Sequence, residues 1–522
     1  MTPTTPEAWI DDVRTALESQ GRRPLIEFLQ RQRWFAGKGR PLVDVRVLDA
    51  LDLSTDNERR CVALVGVEYR GQASERYAMP LLLCPAQGQE EALHIVPWPS
   101  TSEPSHQAWL CDASRDTRTW KHLYAAIGQN RELLGQAGCL IGRTFSQGRE
   151  ELAKPVGDVA VLSVEQSNTS VVFDGRAILK WIRKWDAGIN PDSEMLEFLT
   201  TRTTCPHVPQ LWGLMMYEHG PEETDQPATT AVVQQFVPNS GDGWKFTLAH
   251  LDSLWEEAGP ATARSHDELV AGLTDSCAPY LQDVHRLGSI TADLHVALAS
   301  ISDIDAFRPE RITMDDIDHW QGLMEEQADA VCRDLRSLEM DQLRAAGMSS
   351  DEIPSWRTAA RNTFAALAEL SRHATSKIRH HGDFHLGQVL KTRDGFVIID
   401  FEGEPARPLE ERRAKTCPLK DVAGMLRSFN YAIHTAWRQR TRSSEPQWAA
   451  EWERAVREAF LTGYQTVAKP GIASFLPRTW DQALHVIRAY ELDKVFYELR
   501  YELRHRPQWL AIPAAGIRAL LS

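Results

Sequence analysis

Asp383 is the residue whose surroundings most suggest chemistry. It lies in His381-Gly-Asp-Phe-His-Leu-Gly-Gln388, where a carboxylate is framed by two histidines and preceded by a glycine. A carboxylate so placed could accept the proton of an attacking hydroxyl. Just downstream, Gly387-Gln-Val-Leu-Lys391 and Phe396-Val-Ile-Ile-Asp-Phe401 flank Asp394-Gly395, and Asp-Gly is a preferred centre for a two-residue hairpin turn. With that centre, facing residues have numbers adding to 789, so Gln388 faces Phe401 and lies one position from Asp400. An amide oxygen and a carboxylate at one end of a ribbon are hard donors suited to Mg²⁺, beside which Asp383 would be free to act as a base. The competing reading of the same residues is a plain hairpin with a capping Asp and a packed pair of histidines.

A second Asp-Gly, Asp174-Gly175, lies between Ser170-Val-Val-Phe173 and Arg176-Ala-Ile-Leu-Lys-Trp-Ile182. A two-residue turn there places Thr169 opposite Lys180. The polar run Glu165-Gln-Ser-Asn-Thr-Ser170 follows the strand-like Val159-Ala-Val-Leu-Ser-Val164. Backbone N–H groups around Ser167, Asn168 and Thr169 could hold a phosphate, with Lys180 adding a point charge. Taken alone, this stretch reads better as a solvated hairpin with an incidental lysine, and it has none of the glycines of a Gly-rich phosphate loop.

Three regions must position these residues: 1–100, 101–237 and 238–522. The first opens with a short helix and continues into strand-like Cys61-Val-Ala-Leu-Val-Gly-Val-Glu-Tyr69 and Tyr77-Ala-Met-Pro-Leu-Leu-Leu83. Pro97, Pro99 and Pro104 mark its end, and the Glu/Gly/Pro-rich segment Tyr217 to Pro227 reads as an exposed loop between strands. From about residue 245 long amphipathic helices dominate, interrupted by strand-like material around 388–401. On the helix from about Gln482 to Arg504, a spacing of 100° per residue gathers Leu492, Val495, Phe496, Leu499 and Leu503 on one side. Glu491, Lys494, Tyr497, Glu498 and Tyr501 fall on another. That second face is either solvated and stitched by Glu491/Lys494 and Lys494/Glu498 pairs, or the wall of a pocket with aromatic faces for a sugar ring. Trp244 reads as a ring-stacking residue, a core anchor or part of a helix cap; Arg427 as a phosphate contact or a structural ion pair. The Trp34 to Arg40 segment reads as structural or regulatory.

Composition narrows the classes. The 522 residues exceed what one hydrophobic core organises, and a net charge of −14 disfavours nucleic acid or an anionic membrane as partner. No apolar stretch suits a membrane span and the N-terminus lacks a signal pattern, which points to a cytoplasmic protein. Eight scattered cysteines, with no close pair at metal-ligand spacing, suit a reducing compartment; neither a disulfide framework nor structural zinc is expected.

Taken together, His381-Gly-Asp-Phe-His-Leu-Gly-Gln388, Ile398-Ile-Asp-Phe-Glu-Gly-Glu-Pro405 and Pro418-Leu-Lys-Asp-Val-Ala-Gly-Met-Leu-Arg-Ser-Phe429 resemble the maltokinase family, in the aminoglycoside-phosphotransferase-like branch of the protein-kinase-like fold. Gln32-Arg-Trp-Phe-Ala-Gly-Lys-Gly-Arg40 resembles the family's N-terminal cap motif, and Tyr497-Glu-Leu-Arg-Tyr-Glu-Leu-Arg-His-Arg-Pro-Gln-Trp509 its last long helix. The resemblance implies an α+β bilobal fold with an N-terminal α/β cap subdomain, a nucleotide-binding subdomain and a mostly helical C-terminal lobe.

It further implies Asp383 as catalytic base, Gln388 and Asp400 as Mg²⁺ ligands, and Lys180 as the holder of the ATP phosphates. Glu194 would be the ion-pair partner of Lys180, Gln234-Gln235-Phe236-Val237 the hinge against adenine, and Asp421 a support for the catalytic loop. His381, Glu402, Arg427, Lys494, Tyr497, Glu498 and Tyr501 form the implied sugar-binding set. Family members phosphorylate maltose on its anomeric hydroxyl, giving maltose 1-phosphate for α-glucan (glycogen) synthesis and trehalose-linked metabolism, with a partner enzyme such as trehalose synthase. Asp400-Phe-Glu402 stands where protein kinases have Asp-Phe-Gly, which argues against a protein substrate. Two further readings stay open beside it: an amino-sugar kinase such as a glucosamine kinase, and a non-catalytic ATP- or glucan-binding protein. His381-x-Asp383 also imitates part of an iron-oxygenase site, but the helical C-terminal half offers no strand for the third ligand.

Overall fold

The computed structural model describes residues 6–19, 21–55, 58–85, 91–98, 108–162, 168–220, 226–258, 266–372, 375–405, 407–440 and 448–521. They form two compact units, Met1–Thr200 with Pro209–Pro238, and Thr201–Val208 with Asn239–Ser522.

The first unit contains two antiparallel sheets. Strands β1 (Leu42–Asp52), β2 (Arg60–Tyr69), β3 (Gln72–Pro85), β4 (His94–Trp98) and β5 (Ala108–Asp112) lie in the order β1-β2-β3-β5-β4. The helices Pro6–Glu18 and Arg22–Arg31 supply Trp9, Val13, Leu17, Phe28 and Leu29 to a core shared with Val45, Val65 and Val67. The sheet is thick with apolar residues because β2 is buried along almost its whole length. The Trp34 to Arg40 segment is part of this packing. Trp34 and Phe35 both lie against Tyr77, and the Arg40 guanidinium sits 3.6 Å above the Tyr69 ring while pairing with Glu75 at 2.7 Å. A side chain at Gly37 would run into the Tyr69 hydroxyl, which explains the glycine between these anchors.

The second sheet comprises β6 (Glu132–Leu134), β7 (Gly138–Thr144), β8 (Val159–Val161), β9 (Asn168–Phe173), β10 (Ala177–Ile182), β12 (Leu211–His219) and β13 (Ala228–Gln235), in the order β6-β7-β12-β13-β10-β9-β8. The short β11 (Lys184–Trp185) crosses over to pair with β3. Tyr217, expected in a loop, belongs to β12 and pairs with Ala228; residues 221–225 of that loop lie outside the described residues.

Both hairpin registers differ from expectation. In β9–β10, Ser170, not Thr169, faces Lys180, and Thr169 faces Trp181. Asp174 and Gly175 do adopt left-handed backbone, with φ of 50° and 61°, but Arg176 is an additional residue before the ladder resumes at Ala177. Its side chain is held by Glu151 and Asp174. A one-residue slip moves a side chain to the opposite face of a sheet, so Thr169 and Lys180 do not share one.

Cys84 on β3 and Cys111 on β5 are joined by a disulfide, contrary to the expectation of unpaired cysteines. Sequence spacing hid the pair, because the partners are 27 residues apart and meet only through strand order.

Helices dominate the second unit: Gly243–Ala258, His266–Leu298, Met314–Arg336, Leu419–Arg440, Trp448–Val467 and Trp480–His505 are the longest among the described residues. Capping boxes, Thr313 with Asp316 and Thr479 with Gln482, start two of them. A two-residue ladder, β14 (Glu310–Arg311) with β15 (Ser376–Lys377), precedes the hairpin β16 (Val389–Thr392) and β17 (Gly395–Ile398). Here the turn is Arg393-Asp394, because Thr392 pairs with Gly395 and Val389 with Ile398. Gly395 is thus the first residue of the return strand, with a φ of 128°. Gln388 therefore adjoins Ile399, whose N–H donates to the Gln388 carbonyl at 2.9 Å, and not Phe401. The slip of two residues preserves the proximity of Gln388 to Asp400.

Trp244 sits in the first turn of the helix Gly243–Ala258, half-buried, where Asp242 accepts from the Lys245 N–H at 2.7 Å as the cap.

Candidate active site

Asp421 organises the loop that carries Asp383. It stands in the first turn of the helix Leu419–Arg440 and is 1% exposed. One carboxylate oxygen accepts from the His381 N–H at 2.7 Å and faces His295 Nε2 at 3.1 Å. The other accepts from the Gly382 N–H at 2.9 Å and faces His380 Nδ1 at 2.9 Å. Burial alone would raise this carboxyl, but His380 and His295 hold it well below the usual carboxylate range. It is an ionised anchor that holds the backbone N–H groups of His381 and Gly382 and the ring of His380.

From this anchor the chain turns at Gly382, whose φ of 86° favours glycine. His381 is buried, and its two ring nitrogens join two parts of the site. Nε2 meets the Ile399 carbonyl at 3.0 Å and Nδ1 meets the Asp383 N–H at 3.4 Å. Because a carbonyl only accepts and an amide N–H only donates, the network assigns the neutral Nε2–H tautomer. The imidazole therefore ties the Asp383 backbone to the end of the hairpin that bears Asp400. Packing of the ring on Phe384 and Phe401 accounts for its burial, and places His381 as an orienting group.

At that hairpin end, the backbone hydrogen bond from Ile399 to Gln388 sets Gln388 beside the residue that precedes Asp400. Asp400 holds a φ of 69°, a left-handed conformation uncommon for a residue other than glycine. Hard oxygen donors from a side chain held in this way fit a magnesium ion.

The helix Trp480–His505 faces Asp383 with Lys494. Lys494 Nζ lies 3.3 Å from Asp383 Oδ1 and 3.5 Å from Glu404 Oε1, with the Tyr497 ring 4.9 Å away. Burial would lower the lysine pKa, but Asp383, Glu404 and Glu498 push it upward. Glu404 is likewise desolvated, yet Lys420, Lys494 and Arg407 hold it down to about 2. Asp383, Glu404, Arg407, Lys420, Lys494 and Tyr497 line a cleft that also includes Gln327 and Asp493. Of the two readings of the helix face, the solvated one is excluded for three residues. Glu491 is buried in a two-point pair with Arg457, Lys494 faces the cleft, and Glu498 pairs with Arg427 at 2.7 Å. Arg427 is accordingly a structural ion-pair partner. Tyr501 is 43% exposed and stacks on His505, while the Glu402 carbonyl accepts from Arg412. On the apolar side Leu492, Val495, Phe496 and Leu499 are buried as expected, whereas Glu502 is buried where Leu503 was expected to be.

In the first unit Lys180 is buried on β10, and its ammonium lies 3.4 Å from Asp192 Oδ2. Asp192, not singled out in the sequence, precedes the expected partner Glu194 by two residues in the first turn of the helix Pro191–Thr201. Asn168 begins β9, whereas Ser167 lies outside the described residues. The Thr169 hydroxyl accepts from Arg183 Nε at 2.9 Å, and the buried Arg183 pairs with Asp112 at 3.1 Å. Gln235 is exposed at the end of β13, and Val237 follows, half-buried.

Sequence reasoning passed over Asp192, His295, His380, Glu404, Arg407 and Lys420. Glu404 and Lys420 carried a signal, since the first lies four residues from Asp400 and the second next to Asp421, both within segments already singled out.

Comparison with known proteins adds the family context. Residues 28–116 match the maltokinase N-terminal cap domain, and residues 273–468 match the phosphotransferase enzyme family. The chain is 27% identical over 371 residues to a glucosamine kinase of Streptacidiphilus jiangxiensis, covering 71% of this chain and 75% of that protein. It is also 27% identical over 365 residues to a glucosamine kinase of Mycolicibacterium smegmatis, covering 69% and 79% respectively. Among solved structures, a glucosamine kinase in complex with glucosamine, ADP and inorganic phosphate superposes with a TM-score of 0.63 at 22% identity, covering 95% of this chain and 99% of that one. A second crystal form of glucosamine kinase gives a TM-score of 0.64 over 100% of this chain and 99% of that one, also at 22% identity. These superpositions establish the fold.

Proposed function

We propose that this chain, an ATP-dependent sugar kinase whose residues 273–468 match the phosphotransferase enzyme family and residues 28–116 the maltokinase N-terminal cap domain, takes a neutral sugar, maltose, as acceptor and phosphorylates it on the anomeric hydroxyl. The observation that carries this reading is the charge balance of the cleft. Lys494 stands beside Asp383, where an acceptor hydroxyl must approach, and the other cleft carboxylates already face cations or N–H donors. Glu404 is met by Lys494 and Arg407, Asp421 by two histidines and two backbone N–H groups, and Asp493 by Gln327 at 2.7 Å. Among the described residues lining the cleft, a sugar ammonium would find no carboxylate without a partner to offset it. Within about 4 Å of Lys494 it would meet a like charge costing roughly 1–4 kcal/mol, depending on the local dielectric. A neutral pyranose carries no such cost and can cover the Tyr497 ring with its apolar face.

In the proposed reaction the anomeric oxygen attacks the γ-phosphorus of ATP, the bond to the β,γ-bridging oxygen breaks, and ADP leaves. Asp383 accepts the hydroxyl proton, with Lys494 at Oδ1 orienting the carboxylate. Lys180 holds phosphate oxygens, with Asn168 alongside, and Gln235 and Val237 receive the adenine. Mg²⁺, held by Gln388 and Asp400, would neutralise phosphate charge as the bond breaks. Glu404 and Tyr497 contact the sugar; Glu498 and Arg427 hold the helix that presents them. Maltose 1-phosphate would then supply α-glucan synthesis, and an enzyme that makes or consumes maltose, such as trehalose synthase, would be a functional partner.

The two curated relatives named glucosamine kinases favour a second reading, transfer to an amino sugar. The deciding experiment offers ATP with maltose, glucose, glucosamine and trehalose separately, and locates the phosphate by NMR. Maltose 1-phosphate is the expected product. Reaction of glucosamine at its 6-hydroxyl with none of maltose would overturn the acceptor assignment and leave the kinase intact.

A further inference from the structure

The sheet of the cap region gathers three metal-type donors that the phosphotransfer site does not use. Cys111 on β5 lies opposite Leu82 on β3 and opposite His94 on β4, while Cys84 lies opposite Trp109. The strand order β3-β5-β4 thus converges a side chain from each of three strands. The two sulfurs and a ring nitrogen of His94 all lie within 4.8 Å of one another. In a tetrahedral site with Zn–S of about 2.3 Å, ligand atoms are separated by roughly 3.5–4 Å, so small side-chain movements suffice.

Two more observations point to a ligand. His94 Nε2 is buried and has no hydrogen-bond partner, and such orphaned atoms in a folded protein call for a water or an ion. Its ring stacks on Trp109 at 4.9 Å and an interplanar angle of 13°, which fixes the plane of the imidazole. The Trp109 carbonyl lies 3.5 Å from the Cys84 sulfur and 3.6 Å from that of Cys111, among the buried Leu82 and Ala113. A desolvated pocket with two sulfurs and an imidazole is suited to a borderline-soft divalent ion.

We propose that, with both thiols reduced, Cys84, Cys111 and His94 bind one zinc-class divalent cation, with water completing the coordination. The disulfide is its oxidised alternative. Conversion is balanced by a dithiol reductant: the S–S bond becomes two thiols as the reagent closes to its own cyclic disulfide. Zn²⁺ then replaces two thiol protons, which pass to solvent. The metal would staple β3, β5 and β4 in the reducing state as the disulfide staples β3 and β5 in the oxidising one.

The test uses the full chain, reduced with a dithiol, exchanged into thiol-free anaerobic buffer and titrated with Zn²⁺ against a colorimetric chelator. About one tightly held equivalent per chain is expected, lost in Cys84→Ser and His94→Ala and retained in Cys139→Ser, whose cysteine lies on β7. Because the variants could fold poorly, alkylation of the unmutated protein is mapped by peptide mass spectrometry with and without Zn²⁺. Selective protection of Cys84 and Cys111 supports the site. Absence of a bound equivalent, equal binding by His94→Ala, or unprotected alkylation of both cysteines would overturn it and leave a disulfide alone.

Discussion

Asp383 has one carboxylate oxygen engaged by Lys494 at 3.3 Å and the other 3.9 Å from His385 Nε2. Asp383→Asn keeps the shape of this arrangement and removes the basic oxygen. Turnover should fall by about 10²–10⁴-fold, the usual range for a lost general base. Nucleotide affinity measured by calorimetry should stay within a small factor, because the residue supplies no phosphate contact in the proposed roles. Substantial residual turnover would take the proton-acceptor role away from Asp383. At this scale the sequence was informative where residues cluster in a short segment: Asp383, Gln388 and Asp400 lie within eighteen positions. It was uninformative where the partner comes from a distant helix. Nothing in the pattern around His295 marks it as a neighbour of Asp421, and the two readings of Arg427 are separated only by its pairing with Glu498 from a distant helix.

Helix and strand periodicity located the elements, and local turn chemistry misplaced their registers. By sequence, Asp-Gly is the turn centre of both hairpins. In one, Arg176 adds a residue held by carboxylates elsewhere; in the other, Gly395 serves the strand and Arg393-Asp394 the turn. Such choices depend on tertiary partners that spacing does not encode. The same applies to Gly288 and Gly463, ordinary helical glycines by sequence. A side chain at Gly463 would run into the His285 carbonyl, and one at Gly288 into that of Phe460, so the helices His266–Leu298 and Trp448–Val467 cross backbone to backbone. Gly463→Ala should therefore destabilise by roughly 2–3 kcal/mol in denaturant titrations, because backbone must move. Gly322→Ala, exposed in the helix Met314–Arg336 with nothing within 4 Å of the added carbon, should be neutral or stabilise by up to about 1 kcal/mol. Equal effects at the two positions would contradict the close crossing.

For the whole molecule, pH provides a test that does not involve catalysis. His434, 8% exposed on the helix Leu419–Arg440, has its pKa pushed down to about 4 by burial and then by Arg427 and Arg438. In the unfolded chain it titrates near 6.5, so the neutral folded form costs nothing above that pH. As pH falls from 6.5 towards 4 the unfolded state takes up the proton first, and folding stability should drop by up to roughly 3 kcal/mol. The denaturation midpoint of His434→Gln should fall less over this interval than that of the parent; parallel curves would remove His434 as the source.

The division of the chain also bears on how it can be taken apart. Residues Thr201–Val208 belong to the second unit, although they interrupt the sequence of the first. In that excursion the His207 carbonyl accepts from the Ile398 N–H at 2.8 Å, two residues before Asp400, and Arg202 pairs with Asp303 at 2.8 Å. The backbone therefore passes from one unit to the other three times. A gene split at residue 238 would leave the second fragment without the strap that holds the strand leading to Asp400. Separate expression of the helical half thus calls for a permuted gene, with 201–208 grafted to the fragment it serves.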